Sequence, residues 1–336
     1  MNYLGIDLHK KSFQAVVMDQ VGEVLHCQQY GNTREEVLSL LAQCPEKPST
    51  VIEATQNWMW LVEVFQEFKV PVSLAHPLKT KAIASARIKN DVLDATTLAH
   101  LLRSNLVPPS YITTRQEQAN RELARTRCQL VKQQTWCKNQ IHAVLTKANL
   151  HPPMSDLFGT KGQAWLKEQK LDETKRLVID EFLKLLVNTR LRIKTLEKII
   201  SQRCLGNRQI EILKSIPGFG EITAFILLAE IGDPERFDSG KKLAAYLGLV
   251  PSLYQSGKTK RSGRITKLGN PYARWVLVQA AHRLVRSDIQ TKLNFAALAA
   301  RRGKKKAIVA IARKIAVLSW RLLVDDRVYQ QQAPGG

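Results

Sequence analysis

Four acidic residues stand at positions that can bring carboxylates together. Asp7 follows a run of β-forming residues and Glu53 lies in a second short apolar run, so each carboxylate marks the end of a predicted strand. Asp91 and Asp94 are three residues apart in a helix-like segment, so both project from one helix face. Carboxylate oxygens suit Mg²⁺ or Mn²⁺, and two such ions can hold the attacking and leaving oxygens of a phosphodiester. The pattern indicates metal-assisted phosphodiester chemistry.

Each acid alone also fits a structural role, as a helix N-terminal acid or a solvated surface group. The set of four favours a metal site, because carboxylates that converge without a cation repel one another and some stay protonated. A divalent ion removes that conflict. We therefore expect Asp7, Glu53, Asp91 and Asp94 to bind Mg²⁺ (or Mn²⁺) at one edge of a sheet.

A polar segment over residues 254–267 alternates hydroxyls, glycines and cations. The cations can screen phosphate charge, the glycines let the backbone approach a ligand, and a hydroxyl can attack phosphorus when a cation favours its ionised form. The alternative is a DNA-contacting loop that supplies no nucleophile. By chemistry alone, the candidate nucleophiles are Tyr254, Ser256, Thr259 and Ser262.

Two features predict contacts with nucleic acid. The glycine turn Pro217–Gly220 precedes a predicted helix and can expose backbone N–H groups to a phosphate, which makes Gly218 and Gly220 candidate contacts. A plain tight turn between helices explains the same residues. The second feature is a group of cations in the polar segment, namely Lys258, Lys260, Arg261, Arg264 and Lys267.

The acids of the first hundred residues need a sheet to bring them together. Runs rich in β-branched and aromatic residues predict strands over 3–7, 12–18, 24–30, 50–54 and 70–75. Thr33 followed by Glu36 resembles a capping box, and the predicted helices cover 34–43 and 58–68. The resulting order, β-β-β-α-β-α-β-α, predicts an α/β unit with a mixed sheet.

The rest of the chain reads as all-α. Apolar residues recur at heptad-like spacing from Leu123 to Val144 and again from Leu186 to Ile200, which predicts a long antiparallel coiled-coil arm or dimerisation element. A helical part follows, and its glycine turn resembles a helix-hairpin-helix element. The predicted domains are a catalytic domain at 1–114, the arm at 115–205, a C-terminal domain at 206–330 and a disordered tail at 331–336.

Charge is distributed unevenly along the chain. The whole sequence has 51 Lys and Arg against 29 Asp and Glu, a net charge of +22. Residues 1–100 carry a net charge of −2, whereas 101–200 carry +9 and 201–336 carry +15. Basic charge this concentrated indicates a polyanionic partner, because neutralised phosphates release their counterions. We expect the first hundred residues to do something other than bulk phosphate binding.

Other sequence features exclude several classes of protein. No run of apolar residues is long enough to span a membrane, and the N-terminus lacks the pattern of a secretory signal, so we expect a cytoplasmic, nucleoid-associated protein. The five cysteines form no CxxC pair and are expected to be reduced thiols. The histidines show no metal-binding spacing, and His9 is interpreted as a surface residue.

Several short motifs follow one another in a characteristic order. They are Gly5–Asp7, Ile52–Thr55, Lys89–Ala95, Ile216–Gly220, Ala245–Leu249 and Tyr254–Gly257. Together they closely resemble the DEDD transposases of bacterial insertion sequences, a family that includes the Piv-type DNA invertases. The resemblance covers nearly the whole chain. One departure is Gln56–Trp58, where many relatives have a glycine and then a tyrosine; it leaves the four acids intact.

This resemblance implies a fold, a site and partners. The fold is an N-terminal RuvC-like domain of the RNase H type, a coiled-coil arm and a C-terminal transposase domain. Asp7, Glu53, Asp91 and Asp94 match the metal-binding tetrad, and Ser256 matches the serine that attacks DNA. The family also implies donor and target DNA, a guide RNA encoded by the element, and a homodimer or tetramer.

Three alternatives remain open at this point. A Holliday-junction endonuclease of the RuvC type would use the tetrad with water as the nucleophile. A Piv-type invertase would use the same chemistry on differently arranged sites. A non-enzymatic, architectural nucleic-acid-binding protein would use only the basic C-terminal part.

Overall fold

The computed structural model describes residues 1–55, 57–84, 90–256 and 259–330. Within 253–262 only the backbone pairing is described. Lys258 and the tail at 331–336, both subjects of predictions above, lie outside the described residues. The chain divides into two compact units, Met1–Thr113 and Thr114–Gly336.

A six-stranded mixed sheet forms the centre of the N-terminal unit. Its strands are β1 (Tyr3–Leu8), β2 (Ser12–Met18), β3 (Val24–Gly31), β4 (Ser49–Glu53), β5 (Val72–Ala75) and β6 (Pro109–Ser110). The spatial order is β3-β2-β1-β4-β5-β6. The first three strands are antiparallel, β1, β4 and β5 are parallel, and β6 closes the edge antiparallel. The predicted mixed sheet is confirmed.

Helices cover both faces of this sheet. The helices of the unit are α1 (Arg34–Ala42), α2 (Trp58–Glu67), α3 (Pro77–Ile83) and α4 (Asp91–Arg103). On one face, α1 and α2 bury Leu40 and Phe65 against Leu4 and Ile52 of the sheet. On the other face, Ala95 and Ala99 of α4 pack with Val16 and Met18 of β2. This two-sided arrangement is the RNase H-like fold that the sequence predicted.

Two long helices form the arm of the C-terminal unit. They are α5 (Arg115–Lys147) and α7 (Glu173–Cys204), and the shorter α6 (Thr160–Glu168) lies between them in sequence. Arg127, near the start of α5, pairs with Glu197 near the end of α7 at 2.5 Å, which fixes the antiparallel direction. Leu145 and Ile179, near the opposite helix ends, share one buried cluster. The predicted helical arm is confirmed.

The remaining helices of this unit enclose a large apolar core. They are α8 (Arg208–Lys214), α9 (Glu221–Ile231), α10 (Gly240–Tyr246), α11 (Pro271–Ser287), α12 (Ile289–Arg302) and α13 (Lys304–Val324). The core draws most heavily on α9, α11 and α13. The turn at Pro217–Gly220 separates α8 from α9, as the helix-hairpin-helix prediction requires.

One element differs from the prediction. The segment interpreted as a polar loop forms an antiparallel hairpin of β7 (Pro251–Ser256) and β8 (Thr259–Ile265). Hydropathy did not reveal it, because the backbone hydrogen bonds that hold an antiparallel pair do not depend on apolar side chains.

No helix in the described part of the chain is both long and apolar enough to cross a membrane.

Candidate metal centre and nucleic-acid surface

Asp7 and Glu53 occupy adjacent positions near the ends of two neighbouring strands. Strands β1 and β4 run parallel, and their register pairs Tyr3 with Ser49 and continues to Ile6 with Ile52. The next residue on each strand is an acid, Asp7 on β1 and Glu53 on β4. The sequence prediction that these two carboxylates reach one edge of the sheet therefore agrees with the register.

Both acids face the side of the sheet that α4 covers. Side chains alternate between faces along a strand, and Ile6 and Ile52 lie in the core beneath α1 and α2. The residues that follow them must therefore point to the opposite face. Val51, two residues before Glu53, shares a buried cluster with Leu98 of α4, which confirms this assignment.

Gly5 allows α4 to lie directly on β1. A Cβ atom at Gly5 would stand 2.1 Å from the carbonyl oxygen of Ala95 and 2.6 Å from the amide nitrogen of Ala99. Asp7 lies two residues beyond Gly5 on the same face, and Asp91 lies one helical turn before Ala95. The close approach at Gly5 therefore carries the first turn of α4 towards the Asp7 carboxylate.

The start of α4 holds the second pair of acids. Asn90 is the N-cap, and its side chain accepts a hydrogen bond of 2.9 Å from the amide of Val92. Asp91 and Asp94 lie on a helix, as predicted, and occupy its first turn, where the partial positive charge of the helix N-terminus favours carboxylates. The Asp91 side chain is 45% exposed, so a ligand from solvent can reach it.

His9 stands between the carboxylates of two different elements. Its Nε2 atom is 3.0 Å from Oδ2 of Asp91 and 3.3 Å from Oδ2 of Asp7. One ligand atom from each of these three residues lies within 4.8 Å of the others, a spacing that suits one metal ion. Among the described residues, that group does not include Glu53 or Asp94.

Sequence reasoning interpreted His9 as a surface residue and missed this position. The signal was the spacing of Asp7 and His9, because residues two apart along an extended chain share one face. Two side-chain amides fix the backbone there: Asn32 and Asn57 both donate to the carbonyl oxygen of His9, at 2.9 and 3.0 Å. Asn57 belongs to the segment Gln56–Trp58 named above, and its hydrogen bond holds the His9 backbone.

Ser256 lies in the other compact unit. It is the last residue of β7 and pairs with Thr259 of β8, so the backbone places it beside the tip of the hairpin. At the root, the amide of Lys267 donates to the carbonyl oxygen of Gly248, which has a φ of +68°. Among the predicted phosphate contacts near this root, Arg264 and Lys267 are exposed.

The backbone conformation of the turn before α9 explains why it contains glycine. Gly218 has a φ of +87°, and a Cβ there would lie 3.1 Å from the carbonyl oxygen of Ala280 on α11. Gly220 is exposed and is the N-cap of α9, with no side-chain hydrogen bond to the cap. Its first-turn N–H groups are therefore available in the way that a phosphate contact requires.

A buried carboxylate joins the arm to the root of the hairpin. The Glu230 side chain is 1% exposed and accepts two hydrogen bonds of 2.8 Å from Arg125 on α5. It also accepts one of 2.7 Å from Nδ2 of Asn270, whose own side chain caps α11. The hydrogen bonds to Glu230 raise the pKa of Arg125 above its usual range. Sequence reasoning did not identify this group, because a single acid inside an apolar helix gives no sign of its partners.

Two family sequence models match the chain. One, for the DEDD transposases of the IS110 group, covers residues 4–150. The other, described as the transposase IS116/IS110/IS902 family, covers residues 210–296. Together they span most of the sequence and reach into both compact units.

Curated proteins similar to this chain are also transposases. The transposase for insertion sequence element IS1111A of Coxiella burnetii is 28% identical, over 97% of this chain and 91% of that protein. A probable family 20 transposase of Pseudomonas aeruginosa is 27% identical, over 98% of this chain and 99% of its own length. The pilin gene-inverting protein of Moraxella bovis is 31% identical over 38% of this chain and 40% of that protein. With the matched models on both units and the Asp7–Asp91 juxtaposition in the first, this chain belongs to the IS110-type DEDD transposases.

Proposed function

We propose that this transposase cuts and rejoins DNA with a divalent ion held by Asp7, Glu53, Asp91 and Asp94 and with Ser256 as the nucleophile. The observation that carries the proposal is the convergence of Asp7 and Asp91 on His9 Nε2. The parallel register that sets Glu53 beside Asp7 supports the same site. In this proposal, residues 1–114 are the catalytic domain, 115–205 the arm and 206–330 the domain that carries the serine.

The chemistry divides between the two units. When bound, Mg²⁺ or Mn²⁺ would polarise the scissile phosphate and offset its negative charge. The carboxylates hold that ion at the sheet edge. The Ser256 hydroxyl oxygen bonds to phosphorus, one phosphorus–oxygen bond of the DNA backbone breaks, and the departing deoxyribose oxygen takes up the proton that serine loses. The phosphoserine ester keeps the bond energy, and attack by a hydroxyl of the new DNA end releases the serine.

The tetrad and Ser256 belong to different compact units. We propose that the protein acts as a homodimer or tetramer that pairs donor and target DNA. We also propose that a structured RNA from the element selects those DNA sites. The exposed cations at the hairpin root and the net charge of +22 support a polyanionic partner.

A trapped covalent adduct tests the nucleophile. A nicked DNA substrate that lets the cleaved strand diffuse away should leave wild-type protein covalently bound to DNA, with the phosphoester at Ser256. Ser256→Ala should form no adduct, whereas Thr259→Ala should still form one. Cleavage without any adduct would instead identify a hydrolytic junction nuclease. Metal-independent binding without cleavage would identify an architectural protein.

DNA inversion is a second candidate function. The similarity to the pilin gene-inverting protein of Moraxella bovis favours it. Plasmids that carry two recognition sites in inverted or in direct orientation separate the two functions. Inversion alone supports the invertase, and excision or insertion of the intervening element supports the transposase.

A further inference from the structure

We propose that His9 is a nitrogen ligand of the ion at the tetrad, and that it makes this site favour Mn²⁺ over Mg²⁺. The inference rests on the proposed metal site and adds a residue outside the four acids. Its basis is the position of Nε2, which lies 3.3 Å or less from one carboxylate oxygen of β1 and one of α4. A single imidazole nitrogen cannot donate a well-directed hydrogen bond to both oxygens at once. All three atoms lie close enough together to coordinate one cation.

The position of His9 is built by the surrounding loops. Its carbonyl oxygen accepts from the amides of Asn32 and Asn57, which follow β3 and precede α2. The Leu8 carbonyl oxygen accepts from the Thr55 hydroxyl at 3.4 Å. Three contacts from two loops thus hold the end of β1, and His9 shares the strand face of Asp7. The imidazole is therefore placed towards Asp91 by the backbone.

A nitrogen ligand changes which ion the site prefers. Mg²⁺ is bound almost entirely by oxygen and keeps several of its waters. Mn²⁺ also suits oxygen ligands, but as a first-row transition ion it accepts an imidazole nitrogen more readily than Mg²⁺ does. Replacing the imidazole should therefore weaken Mn²⁺ binding much more than Mg²⁺ binding.

Spin-echo spectroscopy of the Mn²⁺-loaded full-length protein tests the ligand directly. Wild type should show the nitrogen modulation of a coordinated imidazole, and His9→Asn should lose it. His9→Asn should also weaken Mn²⁺ binding on the order of tenfold, measured by calorimetry, with a smaller change for Mg²⁺. His100→Asn, at the other end of α4, is the matched control and should change neither result.

The outcomes separate this inference from the proposed function. If Mn²⁺ binds to wild type without nitrogen modulation and Asp7→Asn abolishes binding, the tetrad is right and the His9 inference is wrong. If Asp7→Asn leaves Mn²⁺ binding unchanged, the proposed metal site itself is wrong. If His9→Asn unfolds at the same temperature as the wild type, any loss of metal binding does not come from a loss of folding.

A basic groove in the C-terminal unit carries a second inference. The groove has a volume of about 640 Å³ and is lined by residues of α10, α12 and α13. Its lining includes the apolar side chains of Leu298, Val317 and Leu318. Its cations are Lys241, Arg301, Arg313, Lys314 and Arg321, and none of the described lining residues is acidic.

Most of this charge is available to a ligand. Arg321 lies 3.6 Å from Asp325, and it is the one groove cation with an ion pair among the described residues. Arg313 and Arg321 are eight residues apart on α13, about 12 Å along the helix axis. Cations spread over about 12 Å suit a chain of phosphates better than a single small anion.

We infer that the groove holds the sugar–phosphate backbone of duplex DNA. This inference rests on the proposed function, in which DNA is the substrate. No aromatic side chain lines the groove within the described residues, so it lacks the stacking platforms that bind unpaired bases. A backbone contact of this kind would add affinity without reading sequence.

The salt dependence of duplex binding tests the groove. Arg301→Gln, Arg313→Gln and Lys314→Gln combined should reduce the slope of log K against log salt by about 2.7, at roughly 0.9 per phosphate contact. The control removes three exposed charges of the arm, with Lys161, Lys167 and Lys170 each changed to Gln, and should alter the slope much less. Equal effects of the two triple variants would overturn the inference.

Binding of structured RNA by the same variants distinguishes an RNA site from a DNA site. If the groove variant loses affinity for structured RNA and keeps the wild-type slope on duplex DNA, the groove is an RNA site and the inference is wrong. Adduct formation at Ser256 is measured separately, so a failure of the groove does not count against the nucleophile.

Discussion

Gly5 lies so close to Ala95 that a Cβ atom on the glycine would stand 2.1 Å from the carbonyl oxygen of the alanine. The contact joins β1 to the middle of α4. Asp91 lies one helical turn before Ala95, so this contact sets the distance between Asp91 on the helix and Asp7 on the strand. A glycine about 6.6 Å along the strand from Asp7 thus sets how closely the two acids approach.

Gly5→Ala should therefore damage folding and site together. The backbone oxygen of Ala95 cannot move aside as a flexible side chain would, so we expect a loss of at least about 1–3 kcal/mol in the free energy of unfolding. Denaturant unfolding measures it. Gly31→Ala is the control, because a Cβ there would meet only the Glu36 side chain at 3.7 Å. Equal stability of the two variants would contradict the close approach.

Loss of one carboxylate should remove metal binding and leave the fold intact. Asp7→Asn and Asp91→Asn each remove one charged ligand, so we expect Mn²⁺ affinity to fall at least roughly tenfold and strand cleavage to disappear. Calorimetry measures the affinity. Glu35→Gln, an exposed acid of α1, should match wild type. If the Asp91→Asn protein bound Mn²⁺ with wild-type affinity, α4 would not contribute Asp91 as a ligand.

The ion pair between Arg125 and Glu230 should be strongly coupled. Arg125→Met leaves a carboxylate with a 1% exposed side chain and only part of its hydrogen bonding, so we expect a loss of about 3–5 kcal/mol. Glu230→Gln combined with Arg125→Met should cost less than the sum of the single changes. A double-mutant cycle measures the coupling. Additive losses would show that the pair contributes nothing beyond its separate contacts.

The cysteines should differ sharply in reactivity. Burial raises the pKa of Cys128 and of Cys204 to about 11, whereas Cys27 is exposed. At pH 8 a thiol reagent should label Cys27 quickly and the two buried thiols only after unfolding, because the thiolate is the reactive form. Mass spectrometry locates the label. Rapid labelling of Cys204 in folded protein would contradict its burial.

The same burial predicts a loss of stability at high pH. The folded pKa of each buried thiol lies above the ordinary value of 9.0, so the folded state disfavours the thiolate. The contribution to stability is complete below pH 9.0 and decreases as the pH rises towards about 11. Cys128→Ala should flatten that decrease in unfolding experiments. An unchanged pH profile would show that another group causes it.

Removal of the two exposed cations at the hairpin root should weaken DNA binding for all sequences alike. Arg264→Gln combined with Lys267→Gln should lower the salt slope of binding by about 2 if both contact phosphates. Fluorescence anisotropy at several salt concentrations measures the slope. Lys167→Gln with Lys170→Gln provides the control. An unchanged slope would place the DNA elsewhere.

The sheet and the positions of the acids could be predicted from the sequence, because the strand order alone fixes which strand ends meet. Asp7 and Glu53 follow from that order, and Asp91 and Asp94 follow from helical spacing. His9 could not be predicted in the same way. The Asp7–His9 spacing shows only that the two side chains share a face. The approach of His9 Nε2 to Asp91 depends on how closely α4 lies on β1, and the missing side chain of Gly5 sets that distance.

The C-terminal unit shows a different limit. Its helices are visible as apolar periodicity, but the β7–β8 hairpin is held by backbone pairing in a polar segment, which hydropathy does not reveal. The partners of Glu230 are likewise invisible, because Arg125 lies 105 residues away in the chain. Tertiary contacts between polar groups depend on the complete fold.

Glu230 also has a consequence for the motions of the C-terminal unit. Arg125 belongs to the arm and Asn270 to the segment that leaves the hairpin, and both bind the same carboxylate. If either side chain separates, the Glu230 carboxylate keeps only the hydrogen bonds that the other side chain donates. Amide hydrogen exchange at the two places should therefore follow one cooperative opening. A nucleic acid that restrains the hairpin would slow exchange in the arm as well.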